Sequence, residues 1–295
     1  MEKAKIRHKL IKKLKDDKFE IDHLQEYSLI IQIGIRDIQV LVVDSRENRC
    51  LIMEDFVLAK IESIQEWRSV VEQVFDSHHV LKAGFWKSVR IVIKNQKFSH
   101  IPASLFVPEA LPEYLSINCK INPDTETLLY YKSVKSDAVT AFAVDTYMYN
   151  WLNNLYPNSK IGFLHQSSCI FEGILNYSQS HKGHTMYLYI DRFKLHLITL
   201  KNKNIQYYNQ FTIKSFSDYI KYIMLVMNGL KHDQKTSDVV LWGYLGKQSP
   251  HYEEFYKFIK NISFGDRPDY LNYGFIFDEV QDHHYFDLYS AYLCE

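Results

Sequence analysis

Glycine and proline are scarce in this 295-residue chain, with ten of the first and seven of the second, against averages near 7% and 5%. That excludes collagen-like and low-complexity segments and leaves little material for flexible linkers. The four cysteines, Cys50, Cys119, Cys169 and Cys294, form no CxxC pair, which removes zinc ribbons and thioredoxin-like redox pairs. Buried free thiols of a reducing compartment account for them. Net charge is absent too: 35 Lys+Arg balance 35 Asp+Glu, so no global field draws the chain to nucleic acid or an anionic membrane. No run approaches the roughly 20 consecutive apolar residues that cross a bilayer, and the opening Met1–Arg7 lacks the apolar stretch of a secretory signal. G-x-S-x-G, H-E-x-x-H and G-x-G-x-x-G are all missing, and with them the nucleophile elbow, the zinc helix and the dinucleotide fingerprint. The expectation is a cytoplasmic protein with no membrane span and no nucleic-acid partner.

Against these absences stands an ordinary folded composition, 46% apolar and 24% charged, with an aromatic share of 15% that includes 22 Tyr and 18 Phe. Strand propensity explains most such residues. Tyr also suits half-wet partner-binding surfaces, because its body is apolar and its tip polar. Residues 1–24 read as a separate basic segment. Its first 18 positions hold eight Lys/Arg and three acids, and Leu10, Ile11 and Leu14 fall at helical spacing, which predicts a short amphipathic helix or a loose tail.

From Leu29 the pattern changes. Leu29–Ile35, Asp37–Asp44 and Cys50–Val57 are β-rich runs joined by tight polar breaks, an antiparallel meander. Ser63-Ile-Gln-Glu66 then reads as a capping box, and Trp67, Val70, Val71 and Val74 mark one helical face. The strand Ser88–Ile93 follows, giving the order β-β-β-α-β. The same order returns about 155 residues later, with runs at Met186–Asp191, Lys194–Leu200 and Ile205–Phe211, a helix over 215–227 and a strand at Asp238–Trp242. An amphipathic segment over 252–262 follows. One supersecondary order found twice predicts a pseudo-symmetric duplication. The expected organisation is a first half at 25–160, carrying inserted elements, and a second at 161–295. Between the meanders, 145–155 and 168–177 read as helices around a strand at 160–164.

A duplicated β-β-β-α-β unit with Gly34 at its first strand turn resembles the actin-like ATPase superfamily, whose half-unit is ribonuclease H-like. The resemblance implies an α/β fold of two such halves, with mixed sheets flanked by helices. Phe106-Val-Pro-Glu-Ala-Leu111 and the stretch 149–162 are similar to the pilus-assembly and cell-division branch. More closely, these segments together with Tyr285–Glu295 resemble a family of bacterial proteins described only as having an actin-like ATPase fold.

The superfamily's chemistry implies site positions that can be checked residue by residue. Its first phosphate loop needs an Asp for hydrated magnesium and a hydroxyl for phosphate. Here the run is Ile31-Gln32-Ile33-Gly34-Ile35, and Gln32 lacks the negative charge a hard cation requires. The second loop, Asp-x-Gly, reads Asp191-Arg192-Phe193, with a bulky ring where backbone should approach phosphate. The adenosine motif keeps one glycine of two, Gly243. Gln32, Gly34, Asp191 and Gly243 are therefore expected as vestigial nucleotide-site positions. Gly34 and Gly243 also suit strand-end turns, and Asp191 also suits a turn cap.

Other chemistry is weaker. Gly243-Tyr-Leu-Gly246-Lys247 is too short for a phosphate loop. His78-His79 and His283-His284 point their adjacent rings about 100° apart on a helix, which suits no shared metal. His165 and Cys169, four apart, have no third group to orient a nucleophile. Asp44 and Asp55, placed at turns, make no two-metal nuclease. The resulting expectation is a non-catalytic scaffold or interaction protein with an unidentified protein partner and no required cofactor. The alternative is a switch that binds ATP weakly, with magnesium, in the cleft between the halves.

Overall fold

The computed structural model describes residues 7–181, 186–201, 204–246 and 248–294. In chain order the first half holds β1 (His8–Lys15), β2 (Tyr27–Gly34), β3 (Asp37–Asp44), β4 (Arg49–Leu58), α1 (Ile64–Asp76) and β5 (Ser88–Lys94). An inserted unit follows, with β6 (Phe98–Pro102), α2 (Leu111–Ser116), β7 (Glu126–Lys132) and β8 (Ala138–Asp145), then α3 (Thr146–Leu155) and β9 (Lys160–His165). Helix α4 (Gln166–Ser180) leads to β10 (Met186–Asp191), β11 (Lys194–Lys201), β12 (Asn204–Thr212), α5 (Phe216–Gly229), β13 (Val239–Gly243), α6 (Pro250–Phe258) and β14 (Ile262–Phe264). Strand β15 (Asn272–Tyr273) and helix α7 (Phe286–Ser290) come last.

Both halves carry one strand order. The first sheet runs β1-β4-β3-β2-β5-β9, with β15 also on β4, and the second runs β12-β11-β10-β13-β14. In each, the meander is antiparallel, and its first strand pairs in parallel with the strand after the helix, β2 with β5 and β10 with β13. The duplicated α/β architecture expected from the repeated pattern is present. Strands β2 and β3 are buried along their whole length, which is why they read as near-continuous apolar runs rather than alternating ones.

Helix α4 lies between the halves. Every residue from Gln166 to Leu175 is buried. Cys169 belongs to the core of the first half, whereas Ile170, Phe171 and Ile174 pack with Tyr187, Tyr189, Val240 and Trp242 of the second. Helix α7 does the same, sending Leu288 and Tyr289 to one core and Phe286 to the other. The two helices touch at Gly173, where a side chain would run into Ser290 and Phe286. A layer of helices buried on all sides ties the halves together.

Three expectations fail. The basic N-terminal run is an edge strand and not a helix or tail: His8–Lys15 pairs antiparallel with β4. The unfilled hydrogen bonds of β4 outweigh a weak helical pattern of three apolar residues, and the lysines along β1 guard the new edge. The inserted unit contains a third sheet, ordered β6-β8-β7, absent from the sequence reading because its strands are short and half-buried. Asp55 is not at a turn; it lies inside β4 and is fully buried. The box at α1 is also shifted. Ser63 Oγ accepts from the Glu66 N–H, but the Glu66 carboxylate accepts from the Glu62 N–H at 2.6 Å and not from Ser63. Residues 1–6, residues 202–203, Lys247 of the rejected phosphate-loop reading and Glu295 lie outside the described residues. No described helix is long and apolar enough to cross a membrane.

Candidate functional site

Parallel strands place their carboxyl ends, and hence their sites, on one side of a sheet. Here β2, β5 and β10 end at Gly34, Lys94 and Asp191. The three residues line one cleft between the halves, about 900 Å³ in volume. The inserted unit forms a further wall through Thr125, Glu126 and Asp145.

The floor is a buried ion triad. Lys94 Nζ donates to Asp37 at 2.7 Å and lies 3.1 Å from the Asp191 carboxylate. Asp37 opens β3 of the first half and Asp191 ends β10 of the second, so a single ammonium bridges the halves. Burial opposes its charge, but Asp191 and Asp37 more than offset this and hold the amine above the usual lysine range. Asp191 shows the converse: burial would raise it, yet Lys94 and a hydrogen bond from Gln166 keep the carboxyl well below the usual carboxylate range.

The network continues under the cleft. Arg192 lies 3.3 Å from Asp37 and pairs with Asp55, which also accepts from the Tyr285 hydroxyl at 3.0 Å. Gln166, the first residue of α4, donates to Asp191 at 3.1 Å and to Asp287 of α7 at 2.7 Å. Asp287 also accepts from the Tyr189 hydroxyl. The carboxylates Asp37, Asp55, Asp191 and Asp287 thus outnumber the cations Lys94 and Arg192. Burial pushes the carboxyls of Asp55 and Asp287 upward, in the direction that disfavours their charged forms.

The expected site positions separate in this arrangement. Gly34 and Asp191 line the cleft and Phe193 stands at its mouth, its ring stacked 4.2 Å under the Arg36 guanidinium. Gln32 is fully buried in β2, and neither of its amide atoms has a hydrogen-bond partner among the described residues. Gly243 does not line the cleft. It sits at φ +106°, its N–H donates to the His283 carbonyl, and a side chain there would collide with the Ile190 carbonyl. His165 is buried, its Nδ1 against Ser167, and His283 hydrogen-bonds the Leu245 carbonyl. Among the described residues no cluster of His, Cys, Asp and Glu is arranged to hold a metal.

A magnesium-bound nucleotide is what the superfamily's cleft would take, and these residues do not fit it. The carboxylates that would face a hydrated cation, Asp37 and Asp191, are already paired with Lys94. Ile35 brings no hydroxyl, and Phe193 puts a ring where backbone should meet phosphate. Lys94 and Asp37, which line this cleft, and Gln166 and Asp287 beneath it escaped the sequence reading, and Asp55 entered it only as a turn residue. One signal was available: a lysine directly after the apolar run Ile91–Ile93, at the carboxyl end of a central parallel strand.

The family model described as "Protein of unknown function (DUF3822)" matches residues 16–262, and the chain belongs to that family. Among solved structures it is similar to a protein of Bacteroides thetaiotaomicron VPI-5482 described as having an actin-like ATPase fold and unknown function. The TM-score is 0.77 and the identity 19%, over 94% of this chain and 99% of that one. It is also similar to the PilM–PilN type IV pilus biogenesis complex, with a TM-score of 0.57 and 11% identity over 90% and 97% of the two chains. No curated protein matches. At these identities the likeness establishes the fold, which is that of the actin-like ATPases.

Proposed function

We propose that this member of the DUF3822 family is a non-catalytic interaction protein of the cytoplasm, an actin-like fold whose cleft floor is bridged by its own ions. The observation that carries the reading is Lys94 seated between Asp37 and Asp191. A fixed ammonium occupies the place of an exchangeable cation, and the same bridge opposes the opening and closing that turnover requires. The working surface is then the inserted unit. It exposes Leu105, Val107, Ile117, Tyr130 and Val134 and carries a concavity of about 940 Å³ lined by residues including Ile117, Ile121 and Leu128. Exposed apolar groups gathered in this way mark partner surfaces. The PilM–PilN complex is a precedent for a protein of this fold held by a protein partner.

The second reading, a weak nucleotide-binding switch, is favoured by the cleft's volume, which falls within the range of small-molecule sites, and by Gly34 and Asp191 on its walls. Thermal unfolding in millimolar Mg-ATP, Mg-GTP and Mg-ADP decides between the two. A ligand at 100 times its Kd adds about 2.7 kcal/mol, roughly 4 °C for a chain of this size. The expected result is no shift with any nucleotide and no ATP turnover. A shift of that order that disappears in Asp191→Ala establishes the switch, and turnover lost in the same variant overturns the non-catalytic reading.

A further inference from the structure

We propose that Lys194 is a reactive amine of the cleft, a covalent site for the carbonyl carbon of a small anionic aldehyde. This goes beyond the interaction role and does not depend on it. Three lysines line the cleft among the described residues, Lys94, Lys97 and Lys194. Lys94 is held by Asp37 and Asp191, and Lys97 by Glu126 at 2.6 Å. Lys194, the first residue of β11, makes no ion pair or hydrogen bond through its amine with a described residue. It is a half-buried ammonium with open space before it and no counter-ion in contact.

The groups around it decide its chemistry. Burial opposes its charge and Lys94 adds to that; together they outweigh Asp191 and Asp37, which favour the charge, and draw the amine down to about 8. His165 and His196 face it as well; burial holds both imidazoles well below their ordinary range, so they add no charge near neutral pH. Arg192 is committed to Asp55. At pH 7 about a tenth of Lys194 is then the free amine, against roughly one part in 2,500 for an ordinary lysine. A desolvated lysine beside other cationic groups is the setting in which amines become nucleophiles toward carbonyls.

The ligand's charge is read from the cleft's mouth. Arg36 is exposed, stacks on Phe193 and has no acidic partner among the described residues. A guanidinium left open beside an open cavity suits a phosphate or carboxylate tail. In the step itself, the neutral Nζ adds its lone pair to the aldehyde carbon and the C=O π pair moves to oxygen. A proton then passes from nitrogen to that oxygen. The carbinolamine loses water and leaves an imine. No carbon is oxidised or reduced, and no co-reactant is needed.

The probe is pyridoxal 5′-phosphate, applied to the full chain at limiting concentration between pH 6 and 10, trapped with borohydride and mapped by peptide mass. The expected adduct is at Lys194, at least about tenfold ahead of Lys60, whose side chain is 88% exposed. The wild-type rate should be half-maximal near pH 8. Lys194→Arg should remove this adduct while leaving the melting temperature in place. Arg36→Gln should slow labelling by the phosphate-bearing aldehyde several-fold and leave labelling by pyridoxal alone unchanged. Label distributed according to exposure, with Lys60 leading, overturns the proposal. So does a Lys194 profile that rises only near pH 10. Equal wild-type rates for the two aldehydes overturn its anionic part.

Discussion

Replacing Lys94 with methionine tests the ion triad most directly. Methionine keeps much of the length and volume of the stem and removes the charge. Asp191, 3.1 Å from the ammonium, then loses its ion pair, and Asp37, 2.7 Å from it, keeps only Arg192 at 3.3 Å, in a site where Lys94, Asp37 and Asp191 are at most 6% exposed. Breaking a buried ion pair by removing one partner costs about 3–5 kcal/mol, because a charge is left uncompensated. Unfolding entropy of roughly 2.1 cal/mol/K per residue gives about 0.6 kcal/mol/K for a chain of this length, so the melting temperature should fall by about 5–8 °C. Replacing all three groups, as Lys94→Met with Asp37→Asn and Asp191→Asn, removes the stranded charges and should recover more than half of that loss, since a group that is absent need not be solvated. Differential scanning calorimetry of wild type, single and triple variants at pH 7.5 provides the comparison. A single variant within 2 °C of wild type, or a triple variant less stable than the single, refutes the claim that Lys94 stabilises the fold by pairing with both carboxylates.

Between pH 7.5 and 5 acid should weaken the fold through histidines; the stability that Asp191 contributes, its carboxyl being held low by Lys94, is lost only at lower pH, as the unfolded chain's carboxylates protonate. Burial draws His100 and His196 down to about 3. The unfolded chain therefore takes up protons below pH 6.5 while the folded one does not. Stability is complete above that pH and drains as pH falls toward 3, by about 2 kcal/mol for each imidazole at pH 5. Asp55 and Asp287, raised by burial, act in the opposite sense. His100→Phe, placed between Phe98 and Phe171, should therefore flatten the decline in melting temperature between pH 7.5 and 5 and isolate the imidazole; an unchanged slope removes His100 from the account. Gly173→Val, at the contact of α4 with α7, should cost about 1–3 kcal/mol by overpacking, read as a lower urea midpoint with an unchanged slope. A midpoint equal to wild type means that the two helices can separate freely.

The inserted unit shows how far local pattern reaches. Its helix α3 was legible at 145–155 because Asp145 accepts from the Met148 N–H and caps a regular amphipathic turn. Its sheet was not, because β7 is half-buried along most of its length and shows no clean alternation. Similarly, β1 has too few apolar residues to declare its partner; the open edge of β4 declares it.

Local chemistry alone determined the repeated β-β-β-α-β order, the burial of β2 and β3, and the lesions at Gln32, Ile35 and Phe193. Strand runs, turn residues and loop donors each act within a few positions, so a single pass along the chain finds them. Only the tertiary structure decided what replaced the lost donors. Lys94 is 57 positions from Asp37 and 97 from Asp191, and nothing in the neighbourhood of any one of them indicates the other two. Their meeting depends on the two sheets being tied together by α4 and α7, whose residues are shared between both cores. The strength of that meeting comes from the exclusion of water, a property of the assembled fold and of no segment of the sequence.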